Sequence, residues 1–179
     1  APDKAKKKSP KKEDKDNGYR LIVRNLPRGV QDTFAYVKEY ALAKRGPRIL
    51  LHSTGKGDTL TFTANPNVLQ SGVYWLDLEP YNLRPLLRSK GKFQQLSMDD
   101  FGRQAAFLAD VDTSKARIRP WQLACWKSDQ DSARVIAGPG SSFLPASPKA
   151  TQVTPEGMPN GRFPWGISEY ARPVFSDDG

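Results

Sequence analysis

The stretch 19–30 constrains the fold of this chain more than any other. It contains the strand-forming residues Leu21, Ile22 and Val23 and then the turn sequence Asn-Leu-Pro. Strand periodicity places Leu21 and Val23 on one face, and Ile22 and Arg24 on the other. The stretch therefore predicts a β-strand that packs one face on a core and ends in a turn.

Further elements follow this strand in alternating order. Phe34, Val37 and Tyr40 recur at three-residue spacing, which is typical of one face of a helix. In chain order the pattern predicts a helix over 33–45, strands over 49–51 and 59–63, a helix that begins at Asn65, and a strand over 83–87 that Pro85 confines to a sheet edge. The order β-α-β-β-α-β predicts an α+β, ferredoxin-like sandwich.

These stretches resemble an RNA-recognition motif. Residues 19–27 read Tyr-Arg-Leu-Ile-Val-Arg-Asn-Leu-Pro, similar to the start of the second such domain in SR-type splicing proteins. Residues 33–39, Thr-Phe-Ala-Tyr-Val-Lys-Glu, match the first-helix run Ser-Trp-Gln-Asp-Leu-Lys-Asp of that family, and 62–69 match the third strand and its continuation. The resemblance covers 19–88 and implies the same fold and an RNA-binding function.

The resemblance also implies how RNA would be contacted. Ile22, Gly57 and Thr59 stand at the positions that carry base-stacking aromatics in other such motifs. Binding would therefore use the basic sheet edge and the first helix, where Phe34 keeps an aromatic ring. The candidate RNA-binding residues are Arg20, Ile22, Arg24, Arg28, Phe34, Lys56, Thr59, Thr61, Arg84, Arg88 and Lys90. The alternatives are a solvated surface charge for each cation and a core position for Phe34.

The distribution of charge favours a polyanionic partner. Residues 1–18 hold seven lysines and four acids, a net charge of +3, and 19–92 hold 12 basic and 5 acidic residues, a net charge of +7. Residues 93–179 hold 9 basic and 10 acidic residues, a net charge of −1. Such a segregated excess is typical of proteins that bind nucleic acid, although a charge that only keeps the protein soluble is the alternative.

The chain divides into three predicted regions. Residues 1–18 form a disordered basic tail, whose lysines over 6–12 would serve as a nuclear-import signal, as an arm for phosphates, or only as a solvated tail. Residues 19–92 form the RNA-recognition-like domain. Residues 93–179 form an extension with one helix over 97–109 and proline-rich extended arms. We expect a nuclear location, without excluding an organelle.

The extension carries aromatic residues that would dock on a protein partner. These candidates are Trp121, Trp126, Phe163, Trp165 and Tyr170, and the alternative is that the tryptophans pack back on the same domain.

The remaining residues argue against an enzyme. His52 and Cys125 are the chain's only histidine and cysteine, too few for a four-ligand zinc site of nitrogen and sulfur. The run 55–58, Gly-Lys-Gly-Asp, is too short for a phosphate-binding P-loop, and no apolar run reaches the length of a membrane span. We therefore expect a non-enzymatic protein without cofactor, metal, membrane or small-molecule substrate, which binds single-stranded RNA. The alternative is an adaptor or structural subunit that binds proteins within a large complex.

Overall fold

The described part of the chain is an all-β protein. The computed structural model describes residues 17–55, 69–112, 120–138 and 167–176. These residues form nine strands: β1 (Tyr19–Asn25), β2 (Val30–Leu42), β3 (Arg48–Ser53), β4 (Gly72–Leu78), β5 (Tyr81–Arg88), β6 (Lys92–Met98), β7 (Gln104–Asp110), β8 (Gln122–Lys127) and β9 (Arg134–Ala137). The first five strands form one antiparallel sheet in sequence order, sheet A, and the last four form a second, sheet B.

The predicted βαββαβ fold is wrong, because the described residues contain two antiparallel sheets and no α-helix. Residues 33–45, predicted as the first helix, lie mostly in β2. Two irregularities in the pairing of β2 produced the misleading spacing: Tyr36 has a positive φ of 61°, and the register with β3 shifts between Val37 and Glu39. Each bulge changes which residues face inward, so Phe34 and Val37 are both buried although they are three apart.

The other two predicted helices are strands for a different reason. The described end of the second is β4, whose residues 72–76 are buried on both faces of sheet A. A continuous apolar run fits a central strand as well as a buried helix. The third, over 97–109, falls at the end of β6 and in β7. Between β6 and β7, Asp99 accepts hydrogen bonds at Oδ1 from the backbone N–H groups of Arg103 (2.6 Å) and Gln104 (2.7 Å). These bonds close a hairpin turn instead of starting a helix.

Several predicted strands are confirmed. Residues 21–23 lie in β1, 49–51 in β3 and 83–87 in β5. β5 is the last strand of sheet A, so Pro85 occupies an edge strand as predicted. The strand predicted over 59–63 lies outside the described residues.

The two sheets share one core. Leu50, Val73 and Trp75 of sheet A pack against residues of β6, β7 and β8. The ring centroids of Trp75 and Trp126 are 4.4 Å apart, which joins the middle of each sheet. The predicted border between 92 and 93 falls inside β6, whose Phe93 belongs to this core.

Sheet A also buries its other face. Phe34, Leu51 and Leu76 are central to a second core, which Leu21 and Val23 of β1 help to cover. The Tyr81 hydroxyl at the start of β5 interacts by a hydrogen bond with Asp32 of β2; burial first, and this carboxylate second, raise the pKa of Tyr81 to about 12. The sheet therefore coils until its first hairpin approaches its last strand.

A C-terminal segment, 167–176, lies along β6. Gln95 of β6 has a positive φ of 57°, and the strand is bulged there, so the backbone of Leu96 is not paired in the ladder. Glu39 Oε1 accepts a hydrogen bond from the Leu96 N–H (2.9 Å), and the Arg172 guanidinium donates to the Leu96 carbonyl (2.9 Å). Burial raises the pKa of Glu39, while the Leu96 N–H and the Arg172 charge act against that rise. Glu39 and Arg172 thus pair with the N–H and the carbonyl of buried Leu96, which the neighbouring strand leaves unpaired.

Glu39→Ala should destabilise the protein by about 1–3 kcal/mol, because it leaves the buried Leu96 N–H without an acceptor. Glu39→Gln keeps an amide oxygen in reach and should lose less than half as much. Urea unfolding of both variants measures the difference. Equal stability of Glu39→Ala and the wild type would show that the bond contributes nothing.

Acid should destabilise the fold through His52, which is buried against Phe93 with ring centroids 5.3 Å apart. Burial, with a smaller contribution from the Lys38 ammonium, lowers the pKa of His52 from 6.5 to about 4. Between pH 6.5 and 4, His52 therefore binds a proton in the unfolded chain but stays neutral in the folded protein. Stability is retained above pH 6.5 and falls, by up to about 3 kcal/mol, as the pH drops towards 4.

The comparison variant is His52→Leu, which fills a similar volume and cannot titrate. Its free energy of unfolding, measured by urea titration at several pH values, should fall less than that of the wild type between pH 6.5 and 4. Parallel pH profiles for the two proteins would contradict this assignment.

Candidate nucleic-acid interface

The strand registers bring basic residues to one end of sheet A. Tyr19 pairs with Val37, Val37 with Ser53, Ser53 with Gly72, and Gly72 with Arg88, so these five residues form one row across all five strands. The exposed cations on or next to this row are Arg20, Lys38, Arg88 and Lys90, which we name the basic rim. Neighbouring strands lie about 4.8 Å apart, so Lys38 and Arg88 are about 14 Å apart along the sheet.

The rim charges are not neutralised within the described part of the protein. None of its ion pairs involves a member of the basic rim. Glu39, the acid next to Lys38, is turned to the Leu96 N–H instead. Lys92 also lies near this end, but it pairs across the strands with Asp110 and is left out of the rim.

Close backbone contacts hold the rim in place. The Thr54 hydroxyl donates to the Asn17 carbonyl (2.7 Å), and the Thr54 N–H donates to the Tyr36 carbonyl (3.0 Å). Gly55 has a φ of +68°, and a Cβ there would lie 2.2 Å from the Ser71 backbone nitrogen. The loops at this end are thus packed on one another, which fixes the spacing of the charges that they carry.

A second basic surface, the β1 arginine face, adjoins the rim. Arg20, Ile22 and Arg24 are exposed, while the residues that alternate with them face the second core. Arg24 donates to the neutral Gln31 side chain (2.9 Å). The acid of this hairpin, Asp32, is paired with Val23 and so lies on the opposite face. Arg28, in the following turn, is also exposed.

The structure divides the predicted RNA-binding residues. Arg20, Arg88 and Lys90 belong to the basic rim, and Ile22, Arg24 and Arg28 lie on the hairpin beside it. Phe34 is 0% exposed and belongs to the second core, because it is in a strand and not on a helix surface. Lys56, Thr59 and Thr61 lie outside the described residues.

Arg84 lies apart from the rim, at the border between the sheets. Its guanidinium stacks on the Trp126 ring, 4.9 Å from the centroid, and lies 3.7 Å from the Asp77 carboxylate. Asp77 also accepts hydrogen bonds from Arg48 (3.1 Å) and from the Trp75 indole N–H (3.1 Å). The Arg84 charge is therefore engaged within the protein.

Of the three tryptophans among the predicted partner-binding aromatics, Trp121 and Trp126 are buried in the protein. Trp126 is 1% exposed and donates its indole N–H to the Gln130 carbonyl (2.7 Å). Trp121 is buried and donates to Glu169 of the C-terminal segment (3.2 Å). Tyr170 is 86% exposed, whereas Phe163 and Trp165 lie outside the described residues.

Sequence reasoning missed three exposed residues. Lys38 and Tyr40 were assigned to a helix, and only the strand alternation of β2 places them together on its exposed side. Phe101 lies within the helix predicted over 97–109, although Asp and Gly flank it in 99–102 and are typical of turns. That turn composition was the available signal.

Other kinds of site have less support in the described ranges. They contain no group of three or more His, Cys, Asp or Glu side chains that could hold a metal ion. Burial raises the pKa of the Cys125 thiol, which keeps it protonated. Within the same ranges, no helix has the length and apolar character needed to cross a membrane.

Comparison of the chain with protein-family models, with curated proteins and with solved structures found no match.

Proposed function

We propose that the protein binds single-stranded RNA through the basic rim and the adjoining β1 arginine face. The observation that carries this proposal is the set of four exposed cations at one end of sheet A, without an acidic partner among the described residues. Residues 1–16, with seven lysines, join the fold at Asn17, next to this rim. The lysine-rich tail is therefore attached to the fold beside the rim.

The binding chemistry of the rim is electrostatic. Lysine and arginine on the rim neutralise phosphates and release the counterions that had condensed on the nucleic acid, so affinity falls as salt rises. Phosphate contacts position a strand but do not read its sequence. The rim therefore supports RNA binding with little sequence preference.

The proposed interface differs from the one that the family resemblance implies. A first-helix surface takes no part, because that stretch is β2. The adaptor alternative can no longer use Trp121 and Trp126 to bind a partner, because both are buried in the protein itself. We keep a nuclear location as a prediction, resting on the lysines of 6–12.

Reversing the rim charges should weaken RNA binding and its salt dependence. In the full chain, Lys38→Glu with Lys90→Glu should lower affinity for a short single-stranded RNA by about tenfold or more at low salt. Each lost phosphate contact reduces the slope of log K against log salt by about 0.7, so the slope should fall by about 1.4. Fluorescence anisotropy at several salt concentrations measures both quantities.

The matched control is Lys127→Glu with Arg134→Glu, which makes the same change in net charge on exposed positions of sheet B. It should leave the slope close to that of the wild type. An equal loss in control and rim variants, or no loss in either, would overturn the rim as the binding surface.

The β1 arginine face has its own test. Arg24→Glu with Arg28→Glu should weaken RNA binding severalfold, because both side chains are exposed beside the rim. Unchanged affinity in the same anisotropy assay would remove this face from the interface and leave the rim.

A further inference from the structure

The second half of β2 is an exposed strand edge that starts at the basic rim. β1 pairs with β2 only as far as Val37, so the residues from Lys38 to Leu42 pair with β3 alone. Along this half the exposed residues are Lys38, Tyr40 and Leu42, while Glu39 and Ala41 are turned towards the protein. Tyr40, at 54% exposure, therefore stands two residues from a rim cation with its ring open to a ligand.

A groove runs along this edge. It has a volume of about 560 Å³ and lies between β2, the end of β6 and the C-terminal segment. Its lining includes Tyr40, Leu42, Lys44, Met98, Arg172 and Phe175. The groove thus combines aromatic and apolar walls with two cationic side chains and the Asp100 carboxylate, which pairs with Lys44, and its aromatic walls suit a planar base.

At its far end the groove adjoins an exposed aromatic ring in the β6–β7 turn. Phe101 is 40% exposed. The guanidinium carbons of Arg45 and Arg103 lie 5.6 Å and 5.3 Å from its ring centroid. Ring and guanidinium planes are the surfaces on which unpaired bases stack.

The turn that presents Phe101 is held rigidly. The Arg45 N–H donates to the Asp100 carbonyl (2.7 Å), and Arg48 donates to the Phe101 carbonyl (2.8 Å). Gly102 has a φ of +63° and packs against Arg48 and Ala43. The ring is therefore preorganised at the surface, which lowers the entropic cost of stacking on it.

Charge along this path is positive at both ends. Lys38 belongs to the rim, and Lys44, Arg45 and Arg103 surround the turn; Asp100 pairs with Lys44 at 2.7 Å and lies 4.0 Å from Arg45. β2 ends at Leu42, and at about 3.3 Å per residue Lys38 and Leu42 are about 13 Å apart along the strand. Cations interleaved with exposed aromatic rings are the arrangement that binds single strands by stacking and charge together.

We propose that Tyr40 and Phe101 are base-stacking residues for the RNA strand whose phosphates contact the basic rim. This inference rests on the proposed function and adds the residues that contact bases. Arg45 and Arg103, which lie over the Phe101 ring, extend its stacking surface, and Lys44, which pairs with Asp100, lies beside it. Because every base presents a flat face, these contacts add affinity without fixing the sequence.

The test distinguishes contacts to RNA bases from contacts to the ribose-phosphate backbone. The full chain is titrated with single-stranded oligoadenylate and with an abasic ribose-phosphate oligomer of the same length. Tyr40→Leu and Phe101→Leu should each weaken oligoadenylate binding by about fivefold or more, while binding of the abasic oligomer changes less than twofold. Phe101→Tyr keeps a ring and should bind oligoadenylate as the wild type does.

The control is Tyr170→Leu, which removes an exposed ring from a different place. Equal loss for both oligomers, unchanged oligoadenylate binding, or the same loss with Tyr170→Leu would overturn the stacking residues while the rim proposal stands. Absence of binding by the wild type to either oligomer would overturn both.

Discussion

The two bulges in β2 are the constraint on which most of this structure depends. The strand pairs with β1 in its first half and with β3 in its second, and each bulge changes which residues face inward. The first half can therefore bury Phe34 in the second core, while the second half turns Glu39 towards β6 and sheet B. Without the first bulge, alternation would place Phe34 and Val37 on opposite faces of the strand, and they could not both join the second core. The pairing with β1 ends at Val37, because β1 begins at its partner Tyr19.

The surface charge follows from where the carboxylates are directed. Asp77 is held by Arg48 and Arg84 at the border of the sheets, Asp100 pairs with Lys44, and Glu39 accepts the Leu96 N–H. These contacts all lie away from the row of residues that forms the basic rim. Asp77, Asp100 and Glu39 therefore do not neutralise the rim, and this follows from tertiary structure more than from composition. Composition did indicate the correct part of the chain, since the basic excess lies within 1–92.

How much of this could be predicted depends on the kind of signal. Local sequence patterns predicted some strands correctly, such as 21–23, which alternates and ends in turn residues. They also predicted the edge position of Pro85, because proline cannot donate a hydrogen bond to a neighbouring strand. The helices failed because bulges shift alternation, so that Phe34 and Val37 imitate helical spacing, and because a strand buried on both faces, such as β4, shows no alternation. The candidate site was affected in the same way. Arg20, Arg88 and Lys90 keep their places at strand ends in either fold, whereas Phe34 was selected for a helix surface that does not exist.

The directions of the two proposed binding surfaces favour a flexible ligand. The basic rim runs across the strands of sheet A, about 14 Å from Lys38 to Arg88, and the groove runs along the second half of β2, where Lys38 and Leu42 are about 13 Å apart. The two paths meet at Lys38, nearly at a right angle, because strands and rows of paired residues cross in any sheet. A duplex is stiff over about 150 base pairs and cannot bend so sharply within this distance at low cost. A single strand turns at every nucleotide and exposes its bases for stacking, so it can follow the rim and then the groove. The geometry around Lys38 therefore supports a single strand as the ligand, while the proposal of binding itself rests on the four cations of the rim.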